Sequence, residues 1–319
     1  SGLTLTAGPA GSATVSGRVL AAAGSYSPQL RASDGSATGT GTASITITRE
    51  NATLGVTSPL IYSATSSFIS SITLSGQVTQ EADGNTGDIT QARVDLLLYS
   101  GLTATGSPTR SCTNLTPNAS GAVSCSVVLL ATGDYTVVAR TSTSNGSFTA
   151  PDSAPSNVTI YQTGLRRTAN ATATVTDPSF GDLPVPILGS DPAGTISVGA
   201  VTYTSTSLTA PQGTWSYAFK GSDGNTYTVT RSDWTNGGLA FNTSGRASFS
   251  GRANVVVTNA SSQTVPALGL TNVPYRIDLF DGAPDRFALT VYRSNGELYH
   301  RVGTAAAPIT LATGTASIG

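Results

Sequence analysis

Apolar and polar side chains alternate residue by residue along Ala43–Arg49, Ile72–Val78, Ala92–Leu98, Tyr135–Arg140 and Arg286–Tyr292. A period of two puts every second side chain on one face of an extended strand, whereas a helix needs apolar residues three and four apart. No window of the chain sustains the helical period. Each run is bounded by Gly, Asn, Asp or Pro, and pairs such as Asp34-Gly35, Asp83-Gly84, Asp223-Gly224 and Asn295-Gly296 read as tight turns. Short strands recurring at intervals of roughly ten residues predict an all-β chain.

At 319 residues the chain has room for two or three cores. Residues 1–50 carry about four predicted strands, fewer than the seven or so of a full Ig-like sandwich, and so predict a short or incomplete Ig-like module. Such a module must bury its open face on a neighbour or borrow a strand from another chain. Leu3, Thr4, Leu5, Thr6 and Ala7 form the short, uncharged strand best placed to be donated. Residues 51–162 predict a complete Ig-like sandwich. Thr163–Arg167 reads as a boundary, and residues 163–319, rich in turns and aromatic residues, predict a larger β-sandwich. The expected fold is therefore tandem Ig-like β-sandwich modules plus a larger C-terminal β-sandwich.

Only 10% of residues are charged, against roughly 25% in an ordinary soluble domain, so copies repel one another weakly. The net charge is −1 and the basic residues are scattered, which argues against a nucleic-acid partner. No apolar run reaches the roughly 18 residues of a membrane span. The chain opens at Ser1 without a Met or a leader-like apolar segment, as expected of a secreted product whose signal has been removed.

Cys112 and Cys125 lie thirteen positions apart around a turn at Pro117–Gly121 and are expected to form a disulfide, as in secreted proteins. Asp83, Asn85 and Asp88 place hard oxygen ligands at near-alternate positions and are the candidate calcium ligands, though the closing glutamate of an EF-hand is missing. No other cofactor is expected. Asp278, Asp281 and Asp285 raise acid–base or calcium chemistry, but turn chemistry accounts for them more simply. His300 is the one histidine and has no nucleophile elbow to serve, so no catalytic residue is expected. Trp215, Tyr217 and Phe219 alternate on one face, as core more readily than as a sugar platform. Lys220, the one lysine, is expected to point outward. Eight Asn-x-Ser/Thr triplets begin at Asn51, Asn114, Asn118, Asn145, Asn157, Asn170, Asn242 and Asn259 and mark exposed loops if they are glycosylated.

Arg49–Thr53, Gly87–Val94, the cysteine pair and Thr132–Val137 together resemble an Ig-like repeat of secreted bacterial surface proteins. Trp215–Lys220, Asp233-Trp234, Gly245–Gly251, Tyr275–Ile277, Asp285–Val291 and Leu298–His300 are similar to the C-terminal β-domain that often follows such repeats. The resemblance implies an extracellular surface or matrix protein and brings no catalytic residues. The expected function is structural, with other copies of itself as partners and polysaccharide or the cell envelope as further partner classes. A monomeric adhesin or glycan-binding module is the alternative.

Overall fold

The computed structural model describes residues 3–9, 12–17, 23–33, 35–84, 87–144, 146–162, 167–176, 193–203, 211–221, 223–242 and 244–319. Asp34, Asn85, Asn145 and residues 163–166 of the expected boundary lie outside the described residues. No helix is long and apolar enough to cross a membrane among the described residues.

Residues 3–47 form six short strands rather than the four expected. They pair as three two-stranded ribbons: β1 (Leu3–Ala7) with β2 (Ala13–Gly17), β3 (Gly24–Tyr26) with β6 (Ile45–Ile47), and β4 (Gln29–Ser33) with β5 (Thr38–Thr42). None of the described side chains in these ribbons is buried.

Two facing sheets follow. One has the order β11-β10-β13-β15-β8, made of β8 (Ile61–Ala64), β10 (Val94–Ser100), β11 (Arg110–Leu115), β13 (Gly133–Thr141) and β15 (Ser156–Gln162). The other runs β12-β9-β7-β14, from β7 (Glu50–Val56), β9 (Phe68–Gln80), β12 (Ala122–Ala131) and β14 (Phe148–Thr149). Alternation aims Leu54, Leu74, Leu96, Leu98, Val123, Val137 and Ile160 into one core between the layers, as a sandwich requires. Two pairings are parallel, β15 with β8 and β14 with β7.

The rest of the chain is one antiparallel sheet with the order β21-β20-β19-β18-β17-β16-β24-β22-β23. Its strands are β16 (Ala169–Thr176), β17 (Ala193–Tyr203), β18 (Pro211–Lys220), β19 (Thr226–Phe241), β20 (Arg246–Thr258), β21 (Leu270–Phe280), β22 (Arg286–Tyr292), β23 (Leu298–Val302) and β24 (Ile309–Ile318). Because β21 also pairs with β22, the sheet closes on itself and its two halves face each other as layers around one core. Closure removes the exposed edges that an open sheet of this size would leave. Tyr217 and Phe219 of β18 stack across that core on Phe287 and His300, with the His300 ring 4.2 Å from Phe219.

Candidate functional site

On β20 and β21 the inward positions are Ala247, Phe249, Tyr275, Ile277 and Leu279. Alternation puts Arg246, Ser248, Ser250, Arg276 and Asp278 on the outer face. That face is nonetheless buried, because the sandwich lies on it. The Arg276 guanidinium donates to Asp278 at 2.8 Å, and then crosses the joint to the Leu60 carbonyl at 3.3 Å, the Asn157 carbonyl at 3.1 Å and Thr159 Oγ1 at 2.9 Å. Its fork thus spans the seam where β8 and β15 pair, where Thr159 N–H itself donates to the Leu60 carbonyl. Arg246 meets the two Asp134 oxygens at 2.9 and 2.6 Å, the bidentate geometry that makes arginine–carboxylate pairs strong. Burial pushes the Asp134 carboxyl upward, but the Arg246 hydrogen bonds and charge, with Thr159 and Arg276, outweigh it and hold the group below the usual range.

Glycines bring the two units into contact around this clamp. The turn between β22 and β23 seats Asn295 and Gly296 on β7, so that a Cβ at Gly55 would lie 2.1 Å from the Asn295 carbonyl oxygen. A Cβ at Gly238 would meet Ile61 at 2.8 Å. Asn295 also donates to Thr79 at 3.1 Å, Thr53 donates to Glu297, and the hydroxyls of Tyr161 and Tyr203 are hydrogen-bonded across the joint.

Cys112 and Cys125 are joined in a disulfide. They belong to β11 and β12, edge strands of opposite sheets, so the bond staples the two layers together. Of the candidate calcium ligands, Asp88 accepts from the amide and hydroxyl of Thr90 and caps a short 3-10 turn at Ile89–Gln91, while Asn85 lies outside the described residues. Among the described residues no three His, Cys, Asp or Glu side chains form a group able to hold a metal. Leu3–Ala7 is already paired with β2 along one edge, so any donated element is a hairpin and not a lone strand.

Asp278, Asp281 and Asp285 do not converge on a cleft. Asp278 belongs to the clamp, whereas Asp285 accepts from Ala316 N–H and Asp281 from Ile318 N–H, each at 2.8 Å, fastening the end of β24. Trp215, Tyr217, Phe219 and His300 are buried, and Lys220 is exposed. Three of the Asn-x-Ser/Thr triplets are one turn motif. In each, the Asn118, Asn242 or Asn259 side-chain oxygen accepts from the backbone N–H two and four residues on.

Sequence reasoning gave no role to Arg246, Arg276, Asp134, Gly55 or Gly238. The one available signal was Arg-x-Asp at 276–278 on a strand face, a charge pair at same-face spacing. The large apolar side chains left exposed fall mainly into two groups, Leu5, Val15, Tyr26 and Leu30 on the ribbons and Phe68, Val128 and Leu129 at the β9–β12 edge. The chain matches no model of a known protein family, and no curated protein matches its sequence.

Proposed function

We propose that this is an extracellular structural protein of a bacterial surface or matrix whose copies associate through β-strand contacts. The observation that carries this reading is the set of ribbons over residues 3–47, which have six strands and, among the described residues, no buried side chain. A two-stranded ribbon is at best marginally stable in water and needs a third strand or a covering layer. The ribbons display Leu5 at 55% exposure and Val15, its cross-strand partner, at 50%. β12, at the end of its sheet, offers a free backbone edge beside Phe68, Val128 and Leu129. Pairing the β1–β2 hairpin of one copy with β12 of the next satisfies both, by strand addition at an exposed edge. The scarcity of charge on either partner removes one of the usual protections of sheet edges. Neither β1, β2 nor β12 holds an ionisable side chain other than the disulfide-bonded Cys125.

Sedimentation and electron microscopy of the full chain beside a chain lacking residues 1–47 test this. Concentration-dependent fibres or oligomers from the full chain, lost on deletion, are the expected result. Association that survives the deletion overturns the hairpin mechanism, and a discrete monomer at every concentration favours a lone adhesin.

A further inference from the structure

The terminal strands of the two folded units are arranged in opposite mechanical senses. In the sandwich, β8 near the start and β15 at the end run parallel, with Thr159 opposite Ile61 and Gln162 opposite Ala64. Tension that passes through β7 to β8 and acts directly on the end of β15 draws these strands in opposite directions along a common axis, so their hydrogen bonds are loaded together. In the closed sheet the first and last strands, β16 and β24, are antiparallel neighbours, with Ala169 opposite Ile318. Thr168 and Gly319 exchange both backbone hydrogen bonds, at 2.8 and 3.1 Å, so the chain enters and leaves at one corner. Tension applied there parts the pair one bond at a time.

We propose that the two folded units form a two-stage tension element, in which the closed sheet opens before the sandwich and lengthens the chain while the sandwich stays folded. The Asp281 and Asp285 carboxylates set the threshold of the first stage. They grip the Ile318 and Ala316 amides, on the strand that peels first and within a few residues of the point where force arrives. The Arg276 clamp carries load in parallel with the chain at Thr168, but it grips β21 and not β24, so that load too leaves the sheet through Gly319. The two stages belong to a single molecule under load, whether or not copies associate.

Single-molecule pulling from the two chain termini tests it. Thr168–Gly319 is about 150 residues, so at about 3.5 Å each its release adds about 530 Å of contour. This release is expected at low force and ahead of a shorter, higher-force release of the sandwich. A reductant frees the segment closed by the disulfide and lengthens only the second release, by about 45 Å at the same rise per residue. Asp281→Ala is expected to lower the first force and leave the second unchanged.

Moving the C-terminal handle to a thiol at exposed Ser261 supplies the geometric control. Alternating strand directions put the turn after β20 at the opposite end of the closed sheet from Thr168, so force then runs along the strands and the unit yields at a higher force. Release of the sandwich first, or an unchanged force with the handle at Ser261, overturns the proposal.

Discussion

The Arg276 guanidinium and the Asp278 carboxylate meet at 2.8 Å with side chains 2% and 3% exposed, a fully dehydrated ion pair on the outside of one unit and the inside of the joint. Burial alone would lower the arginine's affinity for its proton, but the Asp278 charge and hydrogen bonds reverse that and raise it. Removing one partner strands a buried charge, whereas removing both does not. Arg276→Met is therefore expected to cost about 3–5 kcal/mol, and Arg276→Met with Asp278→Leu to recover most of it. Urea unfolding of the two variants beside the wild type measures the difference. Equal losses in both would mean that the contacts to the Leu60 and Asn157 carbonyls matter more than the charge.

Gly55 is the point at which backbone of one unit touches backbone of the other. A valine there drives its Cβ onto the Asn295 carbonyl, and neither backbone has a rotamer with which to yield. Gly55→Val is expected to cost about 1–3 kcal/mol, as overpacking does, and to divide one cooperative unfolding transition into two as the units separate. Gly238→Ala meets the Ile61 Cγ2 and Cβ at 2.8 and 3.0 Å, side-chain atoms where Gly55 faces backbone, and is expected to cost less. Calorimetry distinguishes one transition from two.

The alternation of Ile72–Val78 and Arg286–Tyr292 made the strands legible, and it correctly sent Tyr217 and Phe219 inward. The same period places Ser248, Arg276 and Asp278 on the polar face of β20 and β21, so Asp278 lies within a strand and not in the turn its sequence setting suggested. A polar face normally meets water, and nothing local says that another unit covers this one. Arg276 and Leu60 are 216 positions apart in sequence, beyond the reach of any periodicity. Asn295-Gly296 was legible as a turn, with Gly296 at φ +82°, but not as the plug that seats on β7. The Asn118, Asn242 and Asn259 triplets read as possible sugar acceptors until the backbone amides they cap are seen.

Asp134 gives the joint a defined response to acid. Its folded pKa lies below the unfolded carboxylate value of about 3.9, so its contribution is complete above about pH 4 and disappears as pH falls through the folded value. Asp134→Asn lacks that contribution at every pH. The variant is expected to be less stable than the wild type by about 2 kcal/mol at neutral pH, the scale of a charge-assisted hydrogen bond. The gap should close below pH 4. Urea midpoints of both proteins from neutral pH down to acid measure it, and a gap that persists undiminished in acid would assign the tie to shape and not charge.

Leu129 is 68% exposed and sits at φ +54°, a left-handed conformation that a residue with a Cβ adopts at some cost. Within this chain the side chain therefore gains little by burial and strains the backbone that carries it. Its position on the β12 edge, with exposed Val128 and Phe68 nearby in the β9–β12 register, fits a contact made outside the chain. Leu129→Gly relieves the left-handed backbone and removes the apolar surface in one step. It is expected to leave thermal stability unchanged or raise it by up to about 1 kcal/mol, while weakening association of the full chain. Calorimetry and sedimentation on the same preparation read the two effects separately. A loss of stability with unchanged association would place the role of Leu129 inside the sandwich and remove β12 from the proposed contact.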